Sequence, residues 1–333
     1  MAKLSTSYMG IPLKNPLIAG ASSLTSNMQS IKKIEEAGAG AIVISSLFEE
    51  QIQLEELIMK NELERNNELN AEMTTIFPGL KHGGPKEHLY WVQKAKDEVK
   101  IPVIASLNAV NTATWVEYAQ KLADTGVDGL ELNFYAVPRS FEIPSKDVEK
   151  EQLKVFSKIR AKVGLPLSVK LSPYYSAPLR FIKDLDEAGA NGFVLFNRLF
   201  HPAISTETEK NSLSYDFSNP SDSRLSLRFA GLLSGKVKGS VCVSNGFHTS
   251  DQIIQAFLAG ADAVQIVSAL YKKRVSYIGT LLEEIEAWMA KRKYGSLAAF
   301  KGKLSAGKNP DPFTYGRAQY VRVLMKPDAY LKV

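Results

Sequence analysis

Leu258-Ala259-Gly260-Ala261-Asp262-Ala263-Val264-Gln265-Ile266 ends one helix and begins a strand with almost nothing between them. A glycine just past a helix C-terminus takes the left-handed conformation at little cost, because it has no Cβ. The apolar run that follows reads as a buried strand, so the segment is the αβ half of a βαβ unit. The same phrase occurs three times earlier. Glu36-Ala37-Gly38-Ala39 precedes residues 41–44, Asp124-Thr125-Gly126-Val127-Asp128 precedes 129–132, and Glu187-Ala188-Gly189-Ala190-Asn191 precedes 193–196. Recurrence from one end of the chain to the other points to one repeated α/β architecture.

Working outward from these anchors, apolar runs bounded by turn residues give eight strands, at 17–19, 41–44, 102–107, 129–132, 167–171, 193–196, 240–243 and 263–267. Continuous apolar runs are what strands covered on both faces look like. Helical periodicity fills the gaps at 28–37, 86–99, 112–123, 147–163, 177–188, 225–234, 250–259 and 275–292. Eight alternations predict an α/β protein of the (β/α)8 TIM-barrel class, closed by right-handed crossovers. A doubly wound open sheet is the alternative, but no G-x-G-x-x-G turn follows the first strand. Two connections exceed a plain barrel loop, 45–85 after the second strand and 198–224 after the sixth. The first opens as an acidic amphipathic helix over 48–69, carrying Glu55, Glu56, Glu62, Glu64 and Glu68; the second is polar throughout. Both follow strand C-termini, where barrel enzymes build their sites, so they are candidate lids or partner surfaces. Residues 1–333 read as one domain, with 305–333 a C-terminal extension that docks on the barrel or a neighbouring subunit.

With 45% hydrophobic and 23% charged residues, the composition is that of a globular protein. No apolar run approaches the roughly 18 residues of a membrane span, and the first residues lack the apolar core of an export signal. One cysteine, Cys242, excludes an internal disulfide and suits a reducing compartment, so a cytoplasmic location is expected. The net charge of +6 is scattered among 35 acidic residues, with no basic-aromatic groove for nucleic acid. The mildly basic balance suits a small anionic ligand and equally an ordinary solvated surface of mixed charge.

Polar residues collect at the strand C-termini: Ser45 and Ser46, Ser106 and Asn108, Asn133, Lys170 and Ser172, Asn197 and Arg198, Ser244-Asn245-Gly246, and Gln265 with Ser268. Converging on one barrel mouth, they form a wet pocket with a cation. Lys170 lies inside an apolar strand, where an unpaired charge costs several kcal/mol, so it must face a group that pairs it. Snorkelling from the strand end is the bland alternative. Asn245, Gly246 and Ser268 follow strands seven and eight, the usual phosphate grip of this fold. His82, His88, His201 and His248 have no metal-ligand spacing, so no metal is expected. Cys242 falls within a strand and reads as an inert core thiol.

These motifs, in order, resemble the dihydroorotate dehydrogenase family, nearest its soluble class-one type. The matching pieces are Asn15-Pro16-Leu17-Ile18, Ala37-Gly38-Ala39 leading to Ser45-Ser46, Ala105-Ser106, Glu131-Leu132-Asn133, residues 166–173 around Lys170, Asn197, Asn245-Gly246, and residues 260–266 leading to Ser268. Residues 295–304 resemble that family's final helix. The resemblance implies FMN at the strand C-termini, the conversion of dihydroorotate to orotate in pyrimidine biosynthesis, and commonly a homodimer. It implies Gly20, Ala21, Ser45, Ser106, Asn133, Lys170 and Asn197 around the ring and ribityl chain, with Lys170 near the N1–C2=O edge. Asn245, Gly246, Val267 and Ser268 would surround the phosphate, with Arg224 replacing backbone donors there.

The departures from that family are equally informative. Its Asn-x-Ser-Cys-Pro-Asn stretch reads Asn133-Phe134-Tyr135-Ala136-Val137-Pro138, so Ala136 occupies the position of the catalytic base. Arg198 follows Asn197 where the family has serine, and is a candidate ligand for an anionic substrate. Tyr135 and Ser172 are the candidate substitute proton acceptors. Val243 and Val267 stand where glycines are expected. The expectation is an FMN-dependent oxidoreductase whose dihydroorotate reaction is weak, altered or absent. The alternative is a catalytically inactive flavin- or phosphate-ligand-binding barrel acting through a partner, and a barrel that has lost FMN altogether is a third.

Overall fold

In a computed structural model of the chain, residues 2–54, 84–135, 140–212, 216–311 and 313–325 are described. An antiparallel hairpin, β1 (Thr6–Tyr8) and β2 (Ile11–Leu13), comes first. The barrel strands follow as β3 (Leu17–Ala19), β4 (Ala41–Val43), β6 (Val103–Asn108), β7 (Gly129–Asn133), β8 (Leu167–Leu171), β9 (Gly192–Leu195), β12 (Ser240–Val243) and β13 (Ala263–Ile266). Each pairs in parallel with its neighbours, and β13–β3 together with β4–β6 closes the ring. A two-residue strand, β5 (Leu47–Phe48), joins the C-terminal end of β6 at the mouth. All eight predicted strands are present within one residue at each end.

The helices covering the ring are α1 (Met28–Glu36), α2 (Pro85–Glu98), α3 (Thr112–Ala123), α4 (Ser145–Arg160), α5 (Pro178–Glu187), α6 (Ser223–Leu233) and α7 (Ser250–Ala259). After β13 come α8 (Ser268–Lys273), α9 (Tyr277–Lys291) and, in the tail, α10 (Arg317–Leu324). The helix expected over 48–69 is present from Glu49 to Leu54; the remainder, with its glutamates, and His82 lie outside the described residues. Residues 295–304 do not form the α-helix that the resemblance implied. They make a single 3-10 turn at Leu297–Ala299, and Gly302 sits at φ 70°.

The recurring phrase has a physical explanation. Gly38, Gly126, Gly189 and Gly260 all have positive φ. At Gly260 a Cβ would also collide with Ser234. In three repeats the polar residue just ahead of the strand accepts a hydrogen bond from the first residues of the preceding strand. Asp128 takes Val103 N at 2.7 Å, Asn191 takes Leu167 N at 2.9 Å, and Asp262 takes Val241 N at 2.8 Å. Asp128 also pairs with Lys96 at 2.7 Å. Replacing Asp128 by alanine orphans Val103 N at a buried strand end. The expected loss is about 1.5–3 kcal/mol, read as a lower urea midpoint at unchanged m-value.

Alternation within the strands sorts side chains to two faces. Leu130 and Leu132 of β7, Leu167, Val169 and Leu171 of β8, and Val264 and Ile266 of β13 pack against the helices in the outer core. A second cluster inside the ring holds Ile18, Val43, Ile104, Val194 and Cys242, closed from below by Tyr8 and Met9 of the hairpin. Gly192 makes room for Tyr8, and Gly129 makes room for Met9, since a Cβ at either would press on them. Thr6 Oγ1 donates to Asp262 O at 3.1 Å and Met9 N to Ser240 Oγ at 3.2 Å, fixing the hairpin across the ring's floor. The positions between the outward apolar residues are therefore inward: Ser106, Glu131, Asn133, Ser168, Lys170 and Gln265. Val243 belongs to the outer core, so its replacing a glycine does not fill the ring.

Candidate active site

Strand register aligns the inward residues in rows. Ser106 pairs with Glu131 and Glu131 with Ser168; one row nearer the mouth, Asn133 pairs with Lys170. Lys170 is 6% exposed and Glu131 fully buried. Lys170 Nζ lies 3.7 Å from Glu131 Oε1 and donates to Gln265 Oε1 at 3.4 Å, while Gln265 Nε2 donates to Glu131 Oε2 at 2.5 Å. The lysine therefore does not snorkel. Its charge is balanced from below by a carboxylate, and both contacts are long enough to leave donor capacity toward the mouth. Glu131 Oε1 itself accepts no hydrogen bond.

Above Lys170, Asn197 Nδ2 donates to Asn133 Oδ1 at 2.7 Å, and Asn108 Nδ2 donates to Asn133 O at 2.9 Å. Two amides from β7 and the end of β9 are thus locked together beside the cation. Ser46 and Ser106 share a hydrogen bond of 2.8 Å, while Ser45 is half-buried at the end of β4. Asn245 sits at φ 70° with its buried Oδ1 unpartnered. Gly246 sits at φ 86°, and a Cβ there would meet Ser223 N and Asn219 O.

A cavity of about 140 Å³ is lined by Ala21, Lys170, Asn197, Arg198, Asn245, Gly246, Val267 and Ser268, together with Ser244 and Gln265. Most of the expected site residues are therefore brought to one place. Gly20, Ser45, Ser106 and Asn133 do not line it, although Asn133 touches Asn197. A Cβ on Gly20 would come within 2.8 Å of Val267 Cγ2, so glycine at position 20 is what lets valine stand at position 267. Arg224 lines a different, adjoining cavity of about 830 Å³, which shares Asn197, Arg198 and Asn245 with the smaller one. Ala136 and Pro138 lie outside the described residues.

The long connection after β9 includes β10 (Ala203–Ser205) and β11 (Lys210–Ser212), an antiparallel hairpin whose second strand is exposed. Its end, Asp216 to Ser218, forms a strap over the smaller cavity. Arg198 Nε donates to Asp216 O at 2.8 Å, Ser218 N to Ser268 Oγ at 3.1 Å and Lys272 Nζ to Ser218 O at 3.0 Å. His248 is buried, with Nε2 3.1 Å from Ser218 Oγ; burial and then nearby Lys272 push its pKa down, favouring the neutral ring. Arg198 is also ion-paired to Asp222 at 2.8 Å. It reaches both cavities but is held by acceptors of its own.

Tyr135 Oη accepts from Phe200 N at 3.2 Å, and Ser172 Oγ from Tyr174 N at 3.2 Å, so each candidate proton acceptor already serves a loop. Burial pushes the Cys242 thiol well up, as befits an inert core residue. Burial alone lowers His88 to about 4, and its Nε2 is unpartnered, which makes it a packing residue. Among the described residues no group of three or more His, Cys, Asp or Glu is placed to hold a metal ion. Among them, too, no helix is long and apolar enough to cross a membrane.

Sequence reasoning quoted Glu131 only within the family match, and it reached the strap only as part of the 198–224 connection read as a candidate lid or partner surface. For Glu131 a signal existed: a carboxylate inside an apolar strand obeys the same argument as Lys170. For the strap, the length of the connection was the signal; its individual contacts had none, because they are made by a polar segment without periodicity.

Comparison with known proteins bears on this arrangement. The family model for dihydroorotate dehydrogenase matches residues 3–289, which takes in every barrel strand and the whole of the mouth. The chain belongs to the dihydroorotate dehydrogenase family. Among curated members, the catalytic subunit of dihydroorotate dehydrogenase B (NAD+) from Thermoplasma volcanium is 26% identical over 309 residues, covering 91% of this chain and 98% of that protein. Dihydroorotate dehydrogenase A (fumarate) from Limosilactobacillus reuteri is 25% identical over 280 residues, covering 81% and 88%. The B-type catalytic subunit of Methanocaldococcus jannaschii is 24% identical over 310 residues. Over the stretches aligned with these dihydroorotate dehydrogenases, about three positions in four differ.

Proposed function

We propose that this chain is an FMN-dependent oxidoreductase acting on a small anionic substrate, with the oxidation of dihydroorotate weak or altered. The observation that carries the reading is Lys170, a buried cation facing the barrel mouth, with Glu131 and Gln265 behind it and the Asn133–Asn197 amide pair beside it.

The residues present fit the cofactor's chemistry. Lys170 suits the electron-rich edge of a flavin ring, and its long contacts at 3.4 and 3.7 Å leave a donor for it. Asn245 Oδ1 is a buried acceptor without a donor, which suits a ligand hydroxyl, while glycine at 246 is required by the close approach of Ser223 N and Asn219 O. Asn245, Gly246, Val267 and Ser268 would hold the phosphate end. The cavity of about 140 Å³ is smaller than the roughly 300 Å³ at which ligand pockets usually begin. Filling it therefore requires Phe200 and the strap to move outward, or entry along the adjoining larger cavity.

Bound FMN would supply acceptance of a hydride from the substrate. Lys170 would hold positive charge at the ring's edge, and Asn133 and Asn197 would orient the reacting partner. The strap would exclude water. Arg198 would meet a substrate carboxylate only by giving up Asp222 or sharing it. The position that the resemblance gives to the proton acceptor is Ala136, and loss of a positioned base typically costs about 10²–10⁴-fold. The reading includes one FMN-binding domain over residues 1–333, a cytoplasmic setting in keeping with the single thiol, and a homodimer, which sedimentation tests.

Purified protein is expected to be yellow. Photoreduced anaerobically, it should reoxidise on adding orotate or fumarate; failure with both would favour the second reading, an inactive flavin-binding barrel acting through a partner. That alternative draws support from the strap over the smaller cavity and from Ala136. Ala136→Cys alone is expected not to produce rapid dihydroorotate oxidation, because Pro138 and Arg198 stand where the family's substrate-binding residues are expected. Rapid turnover of that variant in an orotate absorbance assay would show that the pocket retains more of the ancestral site.

A further inference from the structure

The larger cavity, of about 830 Å³, lies between the loop after β8, the start of α6 and the tail. Its tail wall is built into the fold. Tyr315 lies against Gly231 of α6, where any Cβ would overlap its ring, and Tyr315 Oη donates to Leu304 O at 2.7 Å. Arg228 fastens the same wall through Tyr315 O at 2.7 Å and Gln319 Oε1 at 3.0 Å. Arg224 precedes Arg228 by one helical turn, so both guanidinium groups stand on one face of α6 and line the cavity.

The charge there is unbalanced. The one lining carboxylate among the described residues, Asp222, is already paired with Arg198. Arg224 is exposed and makes none of the hydrogen bonds or ion pairs found among the described residues. The field inside favours anions, and two planar forks a turn apart match two linked anionic groups better than a single carboxylate. The volume is that of a drug-sized ligand and far exceeds a simple dicarboxylate. Tyr174, 69% exposed and also lining the cavity, supplies an aromatic ring for a planar group.

We infer that this cavity binds a nucleotide carrying two or more phosphates, with Arg224 and Arg228 on the phosphates and Tyr174 against the base. The inference does not rest on the flavin reading, because Arg224, Arg228 and Tyr174 line the larger cavity and not the smaller one.

Calorimetric titration of the full chain with ADP, inorganic pyrophosphate and succinate tests this, each with and without saturating FMN. Expected is one ADP per chain, bound at least about tenfold tighter than succinate, weakened by added salt and unaffected by FMN. Arg224→Ala, on an exposed helix position, should weaken ADP and pyrophosphate about tenfold or more, and Arg224→Lys should recover part of the loss. Circular dichroism checks that both variants are folded. Displacement of ADP by FMN would put the nucleotide in the smaller cavity and overturn the inference. So would equal binding of succinate, an unchanged ADP affinity in Arg224→Ala, or loss of FMN rather than ADP in that variant.

Discussion

Lys170→Ala is expected to weaken FMN binding by roughly 10- to 150-fold, the loss of about 1.5–3 kcal/mol that accompanies removal of a charged hydrogen-bonding partner. The true loss should lie toward the upper end. Removing Lys170 exposes the mouth to Glu131, whose carboxylate sits 3.7 Å behind the ammonium and has Gln265 as its hydrogen-bonding partner. A buried negative charge then faces the electron-rich edge of the ring where a positive one stood. Fluorescence titration of apo-protein with FMN gives the affinity, and photoreduction of residual bound flavin reads whether the reduced form is disfavoured further. A variant that stays yellow, with unchanged affinity and unchanged reduction, would remove Lys170 from the cofactor site.

The second large effect concerns the carboxylate. Glu131→Gln keeps an acceptor for Gln265 Nε2 but leaves Lys170 buried without a counter-charge. Breaking one side of a buried pair typically costs about 3–5 kcal/mol, a large share of the roughly 5–15 kcal/mol that holds a domain folded. The urea midpoint should fall accordingly. Combining Glu131→Gln with Lys170→Met should restore most of the stability, because an uncharged pair of similar volume has no desolvation penalty to offset. It should not restore FMN binding. That separation matters, since it assigns the ion pair to the ligand rather than to the fold. Full stability in Glu131→Gln alone would mean that the two charges are not coupled.

The barrel was legible because its punctuation is chemical. Gly38, Gly126, Gly189 and Gly260 mark helix ends, and Asp128, Asn191 and Asp262 mark the hydrogen bonds that fix the next strand beside the last. Lys170 was legible because a charge inside an apolar strand demands a reason. Val243 misled, since strand parity sends it outward to the helices, where it has no bearing on the mouth. Arg224 was expected at the phosphate end and lines the adjoining larger cavity, which shares Asn197, Arg198 and Asn245 with the smaller one. The hairpin at Thr6–Tyr8 and Ile11–Leu13 went unread because two three-residue strands carry too little alternation to register. The contacts of Asp216 and Ser218 join residues up to 54 positions apart, and no local pattern announces them.

The floor laid by that hairpin bears on how the chain is made. Thr6 is tied to Asp262 and Met9 to Ser240, so residues synthesised ahead of every barrel strand find their seats among the last strands completed. Until those strands leave the ribosome, Tyr8 and Met9 have no interior to occupy, and the partial ring above them stays open to water. Closure by such distant contacts is intrinsically slow, and a nascent barrel with an unsealed base is the form most exposed to aggregation or capture by a chaperone.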